Sequence, residues 1–120
     1  MLFSRIINHH VHGECIYIDN GKVEIGVPLG FGIRIAHFSF VGEDNVFYVQ
    51  PEESTAFMTE DGWRLRGGHR LWLAPESERD YYADNSPIEY GISGDTLRLT
   101  QKNDPLLRVI KSIDIKAHNI

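Results

Sequence analysis

Apolar and polar residues alternate with a period of two along most of the chain from residue 15 onward. Residues 15–18 and 23–27 alternate in this way, and Asn20-Gly21 between them is the strongest short signal for a β-hairpin. Successive side chains of a strand point to opposite faces, so this alternation indicates strands with one buried and one solvated face. The two segments are therefore predicted to form a hairpin.

Short apolar runs separated by turn residues predict further strands along the rest of the chain. No segment shows the i, i+3, i+4, i+7 pattern of an amphipathic helix over three turns. The sequence therefore predicts an all-β fold, an antiparallel β-sandwich that occupies residues 1–120 as a single domain. The predicted strands beyond the hairpin are 32–40, 46–49, 69–73, 88–92, 96–100 and 107–115.

Two segments depart from this regular pattern. Residues 1–14 are predicted to be an irregular amino-terminal segment. Residues 51–68 carry charges and glycines with little alternation, which predicts a long exposed loop. Loops of this length in compact domains are usually functional or mobile.

The predicted strand 32–40 carries apolar side chains on both faces. Ile33 and Ile35 share one face, whereas Phe38 and Phe40 share the other. Such a strand needs cover on both sides, which is typical of the middle of a sandwich.

Composition narrows the classes of protein that this chain represents. Its 120 residues suit one domain, and 42% hydrophobic with 24% charged residues is ordinary for a globular protein. The net charge of −5 argues against nucleic-acid binding, which needs clustered Lys and Arg. No apolar stretch approaches the ~20 residues that cross a bilayer, so no membrane partner is predicted. The single cysteine, Cys15, predicts a reducing compartment, the cytoplasm, and a buried inert thiol.

The densest group of chemically versatile residues lies between residues 64 and 76. Gly67 and Gly68 precede a strand and allow the backbone to approach a ligand or another strand closely. Within the strand, Arg70 and Trp72 point to the same face. An indole stacks on the apolar C–H face of a pyranose, and a guanidinium donates paired hydrogen bonds to hydroxyl groups or a carboxylate. The pair therefore predicts a carbohydrate site.

An alternative interpretation gives the same residues a structural role. In that interpretation Trp72 and Phe38 belong to the core, and Arg70 extends its charged end into solvent. The protein would then be a structural or assembly module that binds no sugar.

The stretch Arg66-Gly-Gly-His-Arg-Leu-Trp-Leu-Ala-Pro-Glu76, together with residues 20–30 and 32–35, resembles the amino-terminal half of the aldose 1-epimerase (galactose mutarotase-like) superfamily. The resemblance implies a large antiparallel β-sandwich, a supersandwich, that binds hexoses or their derivatives. It also implies that Arg70 is a sugar-contacting arginine. The residues that would line the sugar cleft beside it are His69, Trp72, Glu76 and Arg66.

Catalysis is a separate question, because mutarotation needs one group to remove a proton and another to donate one. In the family, the general-base glutamate and the general-acid histidine lie on strands that follow the matched part. We therefore expect this chain to represent the amino-terminal half of such a protein. No catalytic residue is assigned, and no mutarotase activity is expected of this chain alone.

Three histidines near the amino terminus raise the possibility of a metal site. His9, His10 and His12, with Glu14 nearby, have the imidazole and carboxylate groups that divalent transition metals prefer. No second cluster in the sequence supplies the remaining ligands. We therefore predict neither a metal nor any other cofactor.

The last predicted strand suggests how the chain associates. It alternates as a buried strand should, and Lys111 and Lys116 are the only residues in it that discourage edge-to-edge pairing. We therefore expect a homodimer formed through exposed strand edges.

Overall fold

A computed structural model describes residues 2–54, 63–76, 81, 84–102 and 108–118. β-Strands dominate the regular secondary structure of these residues, which confirms the predicted all-β fold. Their bounds are β1 (Phe3–His9), β2 (Gly13–Asp19), β3 (Val23–Pro28), β4 (Arg34–Ile35), β5 (His37–Phe40), β6 (His69–Arg70), β7 (Glu89–Ser93), β8 (Thr96–Gln101) and β9 (Lys111–Lys116).

The strands form antiparallel sheets with the orders β1-β2-β3-β5, β4-β6 and β7-β8-β9. The predicted hairpin is confirmed as the β2–β3 connection. Gly21 turns it with a φ of 90°, and its N–H donates to the Asp19 carboxylate at 2.9 Å. The β7–β8 hairpin was also predicted, and Ser93 pairs with Thr96 across its turn.

The core lies between the four-stranded and the three-stranded sheet. Ile16, Ile18 and Val27 from the first sheet cluster with Leu97 and Leu99 from the second. Fully burying a side chain of this size contributes about 1.5–3 kcal/mol, so this layer holds the two sheets together. The arrangement is that of a β-sandwich.

The prediction for residues 1–14 is wrong, because most of this segment forms β1 and the start of β2. The register runs from Phe3 opposite Asp19 to His9 opposite Gly13. β1 is the outer strand of its sheet and largely exposed, so it does not need the apolar alternation that marks the other strands.

The segment 46–49 was predicted to be a strand and is not one. A backbone hydrogen bond joins the segment to β5, from the Val46 N–H to the Phe38 carbonyl at 2.9 Å, and the Asn45 side chain takes the place of others. Its Oδ1 accepts the N–H groups of Phe38 at 3.0 Å and Phe47 at 2.9 Å, and its Nδ2 donates to the Ala36 carbonyl at 2.9 Å. Asn side chains commonly replace backbone partners in this way in turns.

The predicted strand 32–40 is divided between two sheets, since β4 pairs with β6 and β5 pairs with β3. Ile33 is fully buried, as expected. Phe38 and Phe40 are 43% and 69% exposed, so the expectation that both faces are covered is wrong. The division explains this, because β5 is an outer strand that the second sheet leaves uncovered.

Other boundaries differ by a few residues. β6 is shorter than the predicted 69–73, and β9 begins later than the predicted 107, which lies outside the described residues. Of the predicted loop 51–68, residues 55–62 lie outside the described part as well. The described residues include no helix of the length and apolar character that crossing a membrane requires.

Candidate functional site

A fully buried carboxylate, Asp84, is the centre of a polar cluster beneath β4 and β6. Its Oδ2 lies 3.0 Å from Arg34 Nη2, and its Oδ1 lies 3.1 Å from Arg70 Nε. The indole N–H of Trp63 also donates to Oδ2. The Asp84 carboxylate is therefore shared by two cations with little exposure to solvent.

The strand pairing places the two arginines together. Arg34 and Arg70 are directly opposite in the β4–β6 ladder, so their side chains share one face. The Asp84 backbone is fixed there as well, because its carbonyl accepts the Gly32 N–H at 3.0 Å. Burial lowers the pKa of Arg34, and the neighbouring Asp84 carboxylate partly offsets that effect.

The Gly67-Gly68 pair allows the backbone before β6 to lie close to β4, a close approach of the kind that the sequence predicted. Both glycines have a φ of 80°, a conformation that L side chains rarely adopt. A Cβ at Gly68 would overlap the Ile35 carbonyl, so the backbone comes close to β4. The Gly67 carbonyl in turn accepts a hydrogen bond of 2.6 Å from Arg34 Nη1. The glycines therefore serve an approach to another strand.

Aromatic rings surround the guanidinium of Arg70. Its Cζ lies 4.7 Å from the centre of the Trp72 ring, 5.5 Å from Tyr81 and 5.7 Å from Trp63. We call these three rings the aromatic cluster. Trp72 is 42% exposed, so one part of the cluster faces solvent.

The structure brings Arg70 and Trp72 into contact. The structural interpretation expected a buried Trp72 and an exposed Arg70, and the exposures are the reverse. The Arg70 side chain is 11% exposed, so it does not extend into solvent. Trp72, like Phe38, is exposed, so neither belongs to the core. Of the other predicted cleft residues, Glu76 accepts a hydrogen bond from the Tyr81 hydroxyl, and His69 lies exposed on β6.

Arg66 contributes to a different cavity. Its guanidinium lies 3.8 Å above the centre of the Phe31 ring, and burial lowers its pKa. The cavity has a volume of about 500 Å³ and lies against the β1–β2 hairpin, and Trp72 does not line it. Sequence pattern placed Arg66 near Arg70 along the chain, but the fold gives the two side chains different surroundings.

The β1–β2 turn is built on histidines. His9 Nδ1 accepts the N–H groups of Val11 at 3.0 Å and His12 at 3.2 Å, and the His9 ring stacks on those of His10 and His12. These bonds occupy the Nδ1 lone pair of His9, so only its Nε2 could bind a metal. Within the described part of the chain, no group of His, Cys, Asp or Glu side chains has the arrangement of a metal site.

Burial changes the titration of two residues near this turn. The pKa of His12 is lowered to about 4, chiefly by burial and then by His9 and Arg66. Burial also raises the pKa of the Cys15 thiol to about 11, so this cysteine is a poor nucleophile, as predicted.

Sequence pattern did not identify Asp84, Arg34 or Phe31 as site residues. Arg34 alternates with Ile33 and Ile35, which indicates only a polar face. Asp84 lies 50 residues from its partner Arg34, and no local motif signals that contact.

No protein-family model, no curated protein and no solved structure matches this chain. The resemblance to the aldose 1-epimerase superfamily therefore stays a hypothesis that depends on residues 66–76.

Proposed function

We propose that this protein binds a carbohydrate, a hexose or hexose derivative, on the exposed face of Trp72. The observation that supports the proposal is an indole that is 42% exposed and braced from within the protein by Arg70. A braced ring loses little conformational freedom when a ligand stacks on it.

The contacts of Arg70 define how a sugar would lie. Its guanidinium lies 3.1 Å from the buried Asp84 carboxylate, so its role in this proposal is to hold Trp72 in place rather than to provide the main hydrogen bonds to the ligand. The apolar C–H face of a pyranose would stack on the indole surface that Arg70 does not cover. Glu76 and Tyr81, which are hydrogen-bonded to each other, would accept and donate at the sugar hydroxyl groups.

Binding without mutarotation is the expected activity. Asp84, the carboxylate at the centre of the cluster, is fully buried and paired with two arginines, which makes it unsuited to removing a proton from a sugar. Polarimetry with glucose and galactose should therefore give the rate of buffer. A rate well above it would require an acid and a base within this chain.

Calorimetry with a panel of hexoses, hexose phosphates and uronic acids tests the proposal. We expect saturable heat with at least one class of sugar and its loss in Trp72→Ala. Tyr90→Ala is the matched control, because Tyr90 is 43% exposed on a different sheet. No heat with any sugar, or equal losses in the two variants, would reject the proposal.

Fluorescence provides an independent readout, since Trp63 and Trp72 are the chain's two indoles. The Trp63 N–H is held by buried Asp84, so a sugar should change chiefly the emission of Trp72. The change should disappear in Trp72→Phe. A spectrum that does not change at saturating sugar would contradict stacking on the indole.

Exposed phenylalanines favour a second candidate function, assembly of two copies. Phe38 pairs with Ile25 and Phe40 with Val23, which places both rings on the core-facing side of the first sheet, yet both are exposed. A second copy that covers them would form a homodimer through β5, whereas the sequence prediction placed the contact at the edge of the last strand. The cytoplasm stays the predicted location, because Cys15 is the single cysteine of the chain.

Light scattering at several concentrations tests the homodimer. We expect a mass near twice 13.7 kDa that falls to 13.7 kDa in Phe40→Asp but not in the control Tyr90→Asp. A mass of 13.7 kDa at every concentration of the unmodified chain would reject assembly.

A further inference from the structure

The cavity beside the β1–β2 hairpin contains buried polar atoms that the protein leaves unpaired. Arg66 Nη1 and His12 Nε2 are both buried and meet no hydrogen-bond partner in the described part of the chain. Buried polar groups are almost always paired, because an unpaired one has lost its water without replacement. Arg34 Nε and Asp84 Oδ1 are unpaired among the described residues as well, but their two side chains form an ion pair with each other. Arg66 and His12 instead line a cavity, which indicates that a partner from outside the chain belongs there.

Phe31 orients both of these side chains. The Arg66 guanidinium lies 3.8 Å above its ring, and the His12 ring meets it edge-on at 5.6 Å between centroids. Stacking covers the flat face of a guanidinium and leaves its N–H groups directed outward in the plane. The aromatic ring thus fixes Arg66 in an orientation suited to paired hydrogen bonds.

The charge of the cavity favours an anion. Unlike Arg34 and Arg70, Arg66 forms no ion pair with Asp84, and no carboxylate among the described residues takes its place. The acidic residue in the cavity wall is Glu52, and the same wall contains the two arginines Arg64 and Arg66. The basic and neutral polar residues of the wall are Arg64, Arg66, His9, His10, His12, Asn8 and Gln50.

We propose that this cavity binds a small organic oxyanion, a carboxylate or a phosphoryl group, through the planar edge of Arg66 and through His12 Nε2. A guanidinium fork matches the geometry of either group. The volume of about 500 Å³ is in the range of small-molecule sites and exceeds what the charged group alone would fill. Trp72 and Arg70 do not line the cavity, so this site is independent of the proposed sugar site.

Calorimetry of the full chain with inorganic phosphate and with succinate, at constant ionic strength set by sodium chloride, tests the site. We expect saturable binding of at least one probe and a Kd roughly tenfold weaker or more in Arg66→Gln. Arg98→Gln is the control, because Arg98 is exposed and paired with Asp114. Binding of phosphate alone supports a phosphoryl ligand, of succinate alone a carboxylate, and of both a general oxyanion site.

The proposal is overturned if neither probe binds, or if Arg66→Gln binds both as tightly as the unmodified chain does. Trp72→Ala should leave this binding unchanged, so failure of the sugar proposal and failure of the anion proposal give different results.

Histidine NMR on the unmodified chain keeps the test valid if Arg66→Gln fails to fold. His9, His10, Arg34 and Arg66 act on His12, with Arg64 and Glu52 on the cavity wall, and its pKa is low without a ligand. A bound anion favours the protonated ring, so the His12 titration should move upward at saturation. Binding of the probe, after correction for the probe's own protonation, should then tighten as the pH falls toward about 4. A titration that does not move at saturating probe would overturn the role of His12.

Discussion

Two regions of this protein bury arginines, and they differ in what balances the charge. Beneath β4 and β6, Arg34 and Arg70 share the carboxylate of Asp84. Beside the hairpin, Arg66 stacks on Phe31 and meets no carboxylate among the described residues. An aromatic ring accompanies a buried guanidinium in both places, so the aromatic contact alone does not separate a structural role from a binding role. The presence or absence of a paired carboxylate is the feature that separates the two roles.

The difference follows from the cost of desolvating a cation. A buried guanidinium that has a carboxylate partner recovers part of that cost within the folded chain. Arg66 forms no ion pair with the described residues, so the more distant charge of Asp84 offsets only part of this cost. A bound anion would offset more of it, which makes the position selective for anions. We therefore assign the Asp84 cluster to support of the fold and of Trp72, and the Arg66 cavity to recognition.

The largest expected effect comes from removing the shared counterion. Asp84→Asn keeps the shape of the side chain but removes the negative charge that Arg34 and Arg70 share. Breaking a buried ion pair in this way costs about 3–5 kcal/mol of unfolding free energy. Urea denaturation measures the change. A loss below about 1 kcal/mol would show that the cluster does not depend on its carboxylate, and the contrast with Arg66 would disappear.

The next effect is a pH dependence that comes from the other region. The pKa of His12 is about 4 in the folded chain, against 6.5 as its ordinary value. The unfolded chain therefore binds more protons between these two pH values, so stability is complete above about pH 6.5 and falls as the pH drops toward 4. Through this residue, the unfolding free energy should fall by roughly 3 kcal/mol when the pH drops from above 6.5 to below 4.

Comparison with His12→Gln isolates this contribution, because the carboxylates of both chains titrate alike. The unfolding free energy of the unmodified chain should fall more steeply between about pH 6.5 and about pH 4 than that of His12→Gln. Parallel curves would mean that His12 is not desolvated, and the cavity would lose one of its two unpaired atoms.

A smaller effect is expected at Trp72. Trp72→Ala should lower the unfolding free energy by about 1–2 kcal/mol, because Trp72 is 42% exposed and the change removes its contact with Arg70 together with only partly buried apolar surface. Leu97→Ala is the comparison, since Leu97 is fully buried and should cost about 2–5 kcal/mol. If the two variants lose equal stability, Trp72 acts as a core residue and the sugar proposal loses its main support.

Sequence pattern predicted the parts of the fold that depend on local alternation. The β2–β3 and β7–β8 hairpins were recognised because apolar and polar residues alternate in their sequences and turn residues lie between the strands, although β7 is exposed along its whole length. β1 was missed because it is an outer strand with mostly exposed side chains. The segment at Asn45 was misassigned because one side chain replaces the ladder, which no period of two reveals.

The candidate sites depend on contacts between distant parts of the chain. Arg70 and Trp72 were predicted to meet because alternate residues of a strand share a face. Asp84 joins them from another segment, and Phe31 meets Arg66 across the fold. The alternative, structural interpretation expected Trp72 to be buried and Arg70 to be exposed, and the structure shows the reverse. The position of a strand within the sandwich, rather than its own sequence, decides which face is covered.

The smallest expected effect tests whether burial or contact geometry determines the contribution of an ion pair. Arg98 and Asp114 form two hydrogen bonds of 2.7 Å each, a better geometry than the 3.0 Å contact between Arg34 and Asp84. The Arg98 bonds lower the pKa of Asp114, yet both side chains are exposed, at 66% and 39%. Water and salt screen such a pair, and fixing two long side chains costs entropy. Arg98→Gln should therefore leave the urea midpoint within experimental error of the unmodified chain, at low and at high salt.

A shift comparable to that of Asp84→Asn would mean that geometry outweighs desolvation in this fold. The absence of a counterion at Arg66 would then no longer identify a binding site.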